Sequence, residues 1–253
     1  MPGLCARRRS GAESEGPAPV PIRQPAEFEP LEAIMISYPL YVPMELVVEM
    51  ALDVEVLTVV QSEAGRTQAQ RDYLEGGVDL DNCTFLIAPL EGDPYSRDWG
   101  PWFLFDGADL PGVVDFVYEW PNSPGNDAIP TVYAQSEGLP VYDMDIVTAG
   151  GNYMTDGQGT AMATDFLWYN NPDKTPGEID AILDEYLGIQ SHHVLPDNFY
   201  YFHIDCYAKY LTPRSRSLTS RCSTSDTPRY GTDRRRARDS RSRRRCTPTA
   251  ASP

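Results

Sequence analysis

Three stretches of the 253-residue chain hold residue types that could do chemistry together. The first is Asp93-Pro-Tyr-Ser-Arg-Asp-Trp-Gly-Pro-Trp-Phe103, which sets Arg97 and Asp98 beside Tyr95, Trp99 and Trp102. Gly100-Pro101 makes a tight bend, so Asp98 is expected at a strand mouth among aromatic faces. A carboxylate in that company suits a flat cation such as a guanidinium; the competing reading is a surface loop whose Arg97 and Asp98 form an ordinary ion pair. The second is Ala149-Gly-Gly-Asn-Tyr-Met-Thr-Asp-Gly157, where Gly150 and Gly151 permit backbone angles or close approaches that a Cβ forbids. Gly150, Gly151 and Asn152 are expected to form a structural turn near a site or to open a hairpin. Without a GxGxxG pattern or a Gly-Lys-Ser/Thr ending, a phosphate cradle is not indicated.

The third stretch is Phe202-His203-Ile204-Asp205-Cys206. As a strand it would project His203 and Asp205 to one face and Ile204 and Cys206 to the other. A base and a carboxylate side by side are the parts of general acid–base chemistry on a nitrogen substrate. Cys206, turned away, is expected to be a small buried hydrophobe. His192-His193 could join these groups around a metal, but no HExxH or paired-cysteine spacing supports that, and no metal is expected.

Short elements must position these residues. Strands are expected at Ala33–Tyr38, Val54–Val60 and Cys83–Pro89, with helices over Pro43–Leu52 and Glu63–Glu75 between them. Trp102–Phe105 and Val113–Tyr118 read as a hairpin turning near Asp106-Gly107. Val141–Val147, Asn152–Thr155 and Thr160–Thr164 read as further strands. The best-signalled helix has Thr175 as its N-cap, Pro176 at N1, Glu178 completing a capping box and Gly188 at its end. Its stripe is Ile179, Ile182, Leu183, Tyr186 and Leu187. Strands mixed with single helices at this spacing point to an α/β domain.

Charge divides the chain. Residues 1–212 hold 34 acidic side chains against 9 basic ones, while residues 213–253 hold 3 against 12. Residues 1–24 lack an apolar pattern and are expected to be a disordered leader; residues 213–253, rich in Arg, Ser, Thr and Pro, a disordered tail. No apolar run is long enough for a membrane span, and no apolar stretch follows Arg7–Arg9 as a signal peptide requires. The five cysteines (Cys5, Cys83, Cys206, Cys222, Cys246) lack CxxC spacing, so neither a disulfide framework nor a zinc ribbon is indicated. A cytoplasmic globular body is the default expectation, with its oligomeric state left open.

The three chemical stretches, together with Pro25-Ala-Glu-Phe-Glu-Pro30 ahead of them, resemble the bacterial (Porphyromonas-type) peptidyl-arginine deiminase and agmatine deiminase family. The matching strings lie within residues 25–212 and include Ser96–Phe103, Gly150–Gly157 and His203–Leu211. The resemblance implies a pentein α/β-propeller, a fan of five ββαβ units around a central site. It also implies a hydrolase acting on C–N bonds of linear amidines, turning a guanidinium into a ureido group and ammonia through a cysteine covalent intermediate and without a cofactor. By motif position Asp98 and Asp205 would hold the guanidinium, His203 would be the acid/base, and Tyr95 would line the substrate channel. The partner implied is a small-molecule or peptide guanidino compound.

Two departures from the family pattern bear on this. Peptide-acting members carry two arginines for a substrate carboxylate at positions that an ungapped count makes Trp120 and Asn122 here; neither offers a cationic fork. The family's nucleophilic cysteine lies well beyond His-x-Asp, whereas here the pattern stops at Leu211 or Thr212. Cys222 and Cys246 lack surrounding strand or glycine patterns and are not nominated, so no nucleophile is identified. An out-of-frame GC-rich coding sequence gives this kind of tail, and the 7 Arg against 2 Lys of residues 1–212 fit such a source. A reading-frame boundary after about three of five units, with an inactive chain, is therefore expected. The alternatives are a non-catalytic pentein that only binds, or nucleic-acid binding by the basic tail, which the acidic body opposes.

Overall fold

The computed structural model describes residues 16–198, 200–213 and the backbone of the strand 215–218. Residues 1–219 cluster as one unit; residues 220–253 form a second that lies outside the described residues, as do Cys222 and Cys246.

The chain opens with a parallel three-stranded sheet. Its strands β1 (Ala33–Ser37), β2 (Glu55–Val60) and β3 (Cys83–Ile87) are linked by helices α1 (Met44–Asp53) and α2 (Glu63–Gly76). Parallel strands need such crossovers, and the β-branched residues of β2 suit its central place. Ser62 caps α2 by accepting from the Gly65 amide at 3.2 Å, and Gly77, at φ 84°, ends it in the left-handed conformation.

The next two sheets share one plan. After a single turn, α3 (Ser96–Trp99), strands β4 (Trp102–Phe105) and β5 (Pro111–Tyr118) pair antiparallel. The chain then crosses through α4 (Pro124–Asp127) and α5 (Ile129–Glu137) to β6 (Val141–Thr148), which pairs parallel to β5. Asp106 shapes the hairpin, its carboxylate accepting from the amides of Ala108 at 2.8 Å and Leu110 at 3.0 Å. The plan repeats with β7 (Met154–Thr155) and β8 (Thr160–Thr164) antiparallel. Helices α6 (Phe166–Asn170) and α7 (Pro176–Leu187) then lead to β9 (Ser191–Leu195), parallel to β8. Each is a ββαβ unit. The capping box of α7 forms as its sequence predicts, and Ile179, Leu183 and Leu187 are buried.

A final hairpin joins β10 (Ala208–Thr212) to β11 (Ser215–Leu218). Thus a strand lies beyond Thr212, where the charge pattern predicted only a tail. Backbone pairing with β10 requires no apolar side chains, so composition gives no sign of it. The same reason corrects part of the leader. Arg23 and Phe105 exchange backbone hydrogen bonds of 2.9 and 2.7 Å, Tyr153 donates to Gln24 at 2.6 Å, and Ala18 and Gln24 are buried. Residues 1–15 of that leader lie outside the described residues.

The main core runs beneath the second and third sheets, from Trp99 and Leu104 through Phe116 and Met144 to Ile179 and Leu183. A smaller core around Val47, Val56 and Tyr73 serves the first sheet. A third, with Met154, Met162, Ile204 and Tyr210, anchors the final hairpin. No helix among the described residues is long and apolar enough to cross a membrane.

Candidate active site

Asp98 sits on the single turn α3, ahead of β4, rather than at a strand mouth. That turn is fixed on both sides: Ser96 donates to the Met35 carbonyl at 2.8 Å, and the buried Trp99 donates to the Asp93 carbonyl at 3.0 Å. Asp93 also accepts from the Tyr118 hydroxyl and from the Tyr95 amide. Arg97 does not pair with Asp98. Its guanidinium meets Glu27 at 2.6 Å, and Lys209 meets the other oxygen of Glu27 at 3.1 Å.

Gly150–Asn152 forms a single 3-10 turn ahead of β7, so the strand expected from Asn152 begins only at Met154. Gly150 and Gly151 are both buried. A Cβ on Gly150 would collide with the Arg97 carbonyl, so backbone packs on backbone here. Asn152 is fully buried, its side-chain carbonyl accepting from the Thr164 amide at 2.9 Å.

Phe202–Cys206 is not a strand. His203 leads into a 3-10 turn over Ile204–Cys206, ahead of β10, and Phe202 takes a φ of 65° that no strand has. The alternation of side chains imitates a period of two, but Ile204 is drawn into the core below the turn. Cys206 is consequently exposed rather than buried.

The three short turns meet. A Cβ placed on Gly151 would lie 2.6 Å from Asp98 Oδ1, 2.7 Å from His203 Nδ1 and 3.0 Å from Asp205 Oδ2. Two carboxylates and an imidazole predicted from separate stretches therefore converge above one glycine. The Gly151 amide donates to Asp98 Oδ1 at 3.2 Å, and His203 Nδ1 stands 3.4 Å from the same oxygen.

A fourth group was missed from the sequence. Glu119, just past β5, places Oε1 3.0 Å from His203 Nε2, and its Oε2 accepts from Asn170 at 2.9 Å. Its side chain is only 7% exposed. An acidic residue closing an apolar strand was the only available cue. Tyr95 is 61% exposed, edge-on to Tyr41 with ring centroids 6.4 Å apart, and is not one of the three groups nearest that point.

Burial pushes Asp98 up to about 6, with His203 opposing the shift and Asp205, Asp93 and Glu119 adding to it. Asp205 is likewise raised, chiefly by burial. Burial alone would lower His203, but the bond to Glu119 and the charges of Asp98 and Asp205 outweigh it and raise the imidazole. The Cys206 thiol, desolvated and bonded to Asp205, is also pushed up, the reverse of what a thiolate nucleophile needs. His192 is elsewhere, bonded to Asp180 at 2.8 Å. Among the described residues no group of three or more His, Cys, Asp or Glu is arranged to hold a metal ion. The site brings two acids and an imidazole together above Gly151, an arrangement that can bind a planar cation and move protons at its nitrogens.

The Porphyromonas-type peptidyl-arginine deiminase family model matches residues 23–245. The chain belongs to that family. The match continues past Thr212, where the motif-by-motif resemblance ends. An agmatine deiminase of Ectopseudomonas mendocina is 28% identical over 162 residues, covering 57% of this chain and 44% of the relative. One from Pseudomonas aeruginosa is 27% identical over 237 residues, covering 82% and 62%. The solved agmatine deiminase of Enterococcus faecalis matches with a TM-score of 0.67 at 21% identity, over 80% of this chain and 62% of its own. The fold is thus the α/β fold of agmatine deiminase structures, which belong to the pentein group. This member of the deiminase family spans about half the length of the curated relatives it matches.

Proposed function

We propose that the chain carries the guanidinium-binding and proton-transfer half of a guanidino-group deiminase, and that its sheets are successive units of the five-unit pentein fan. The observation that carries this reading is the convergence of Asp98, His203 and Asp205 on Gly151. Asp98 and Asp205, when ionised, accept the N–H groups of a planar guanidinium, which charge-assisted bonds favour. Family membership supports the rest of the chemistry. A cysteine thiolate adds to the central carbon, and the C–N bond breaks as His203 protonates the departing ammonia. His203 then takes a proton from water, whose oxygen displaces sulfur to leave the ureido product.

The cysteine is the open part of this scheme. Desolvation, with Asp205 adding to it, pushes the Cys206 thiol up, and Cys83 sits at the start of β3, donating to the Asp79 carbonyl at 3.3 Å. Neither fits the role, so the thiolate has to come from outside the described residues. Because Cys222 and Cys246 lack the surrounding pattern, the 253-residue chain is expected to bind without turnover. Trp120 and Asn122, both exposed, offer no cation for a substrate carboxylate, which favours agmatine-like compounds over peptides ending in arginine.

Titration calorimetry with agmatine, arginine and a dipeptide ending in arginine tests this. Saturable binding that weakens in the Asp98→Asn variant supports the reading, with agmatine the tightest of the three. No binding of any guanidino compound sinks it, and ammonia release by the 253-residue chain sinks the inactive form.

A further inference from the structure

We propose that Glu119, braced by Asn170, is a positioning residue that commits the Nε2 proton of His203 to a fixed bond and leaves Nδ1 as the nitrogen that exchanges protons at the site. The assignment of that exchange to substrate rests on the deiminase reading; the tautomer itself does not.

The imidazole has two nitrogens with different surroundings. Nε2 lies 3.0 Å from Glu119 Oε1, inside hydrogen-bond range. Nδ1 lies 3.4 Å from Asp98 Oδ1, too long for a good bond, and it is Nδ1 that borders the point above Gly151 shared with Asp98 and Asp205. A proton on Nε2 is thus held toward Glu119, while the lone pair or proton on Nδ1 lies on the side of Asp98 and Asp205.

Glu119 is itself prevented from turning. Its backbone amide donates to the Thr148 carbonyl at 3.0 Å, extending the β5–β6 pairing by one residue, and its second oxygen accepts from Asn170 at the end of α6. A carboxylate tied at both ends, with its side chain almost wholly buried, has few positions other than against His203. The charged groups facing the imidazole are Glu119 after β5, Asp98 on α3 and Asp205 on its own turn. All three are acidic, so the resting ring carries a proton on each nitrogen over a wider pH range than a free histidine does. That state can donate the Nδ1 proton to departing ammonia, and the neutral ring left behind can then accept a proton from water at the same nitrogen.

Nitrogen-resolved NMR of the 253-residue chain, labelled at histidine, tests this without substrate. On raising the pH, Nδ1 of His203 is expected to lose the proton while Nε2 keeps it. In Glu119→Gln the amide oxygen can still accept from Nε2, so the tautomer is expected to survive while the midpoint falls by about one unit, a tenfold loss of proton affinity. In Glu119→Ala both the midpoint and the single tautomer are expected to be lost, and Asn170→Ala should fall between wild type and Glu119→Gln. His192 and His193 on β9 report whether each variant is folded, since their signals should stay put. Deprotonation of Nε2 in the wild type, or an unchanged midpoint in folded Glu119→Gln, overturns the proposal. Guanidino binding is measured separately, so either reading can fail alone.

Discussion

The Gly151 amide donates to Asp98 Oδ1 at 3.2 Å across a separation of 53 residues. One hydrogen bond therefore ties the turn before β4 to the turn before β7, and it holds one of the two carboxylates that meet above Gly151.

Adding a methyl group at Gly151 separates binding from folding. The new Cβ would meet the side-chain ends of Asp98, His203 and Asp205 rather than backbone, so the strain falls on the bonds that hold those groups in place. Gly151→Ala is expected to weaken guanidino binding at least a hundredfold in calorimetry while costing only about 1 kcal/mol of stability. Gly150→Ala meets the fixed carbonyl of Arg97 instead. It should lower stability by roughly 2–3 kcal/mol in denaturant melts. Equal losses of stability in the two variants would contradict this division.

The pH dependence of binding follows from Asp98, whose carboxyl is raised to about 6 by burial. Below that value it is protonated and no longer attracts a cation. Guanidino affinity is therefore expected to fall roughly tenfold per pH unit below about 6. Protons should be released on binding near that pH, seen as a dependence of the heat on the buffer used. Affinity that is flat from pH 7 to pH 5 would remove Asp98 from the binding role.

Without ligand, stability should run the other way. A carboxyl raised above its unfolded value binds its proton more tightly in the folded state, so its contribution is lost as pH rises from about 3.8 to about 6. His203 is also raised, and its contribution is full below its unfolded value and lost as pH climbs through the folded one. Asp98→Asn keeps an oxygen for the Gly151 amide and removes the buried charge. It is expected to melt at or above the wild-type temperature at pH 8 while losing guanidino binding.

How much of this was legible depended on whether a residue's partners were local. The α7 helix could be read because Thr175, Pro176, Glu178 and Gly188 all act within their own segment. The structure closes the box with Glu178 accepting from the Thr175 amide at 2.7 Å. Asp98, His203 and Asp205 were singled out through their motifs, and the structure brings them together, but the conformation carrying the last two was misread. A buried Ile204 between two polar residues gives the same pattern in a 3-10 turn as in a strand. Glu119 was invisible because its role is set by β6 behind it, Asn170 beside it and His203 in front, 84 positions away. The segment around Arg23 was missed for a different reason: it is held by backbone bonds to the edge of β4 and by a Gln24–Tyr153 bond across 129 positions, neither of which leaves a local pattern.

That segment gives a fourth test. Tyr153 is buried, and its hydroxyl donates to Gln24 at 2.6 Å, so Tyr153→Phe strands a buried acceptor. The expected cost is about 1–3 kcal/mol, and Gln24→Ala together with Tyr153→Phe should cost less than the two single changes added. Strict additivity in a double-mutant cycle would show that the contact carries no coupling.

The turns bearing Asp98, Gly151 and His203 each stand just ahead of the first strand of their own hairpin, β4, β7 and β10. The site is thus assembled from the same address in successive units, and it has a timetable. A ribosome adding about 5–20 residues per second exposes Asp98 several seconds before it makes Asp205. Through that interval the nascent protein holds a lone acid with no imidazole opposite it. The three groups stand together only when the last of the three turns docks.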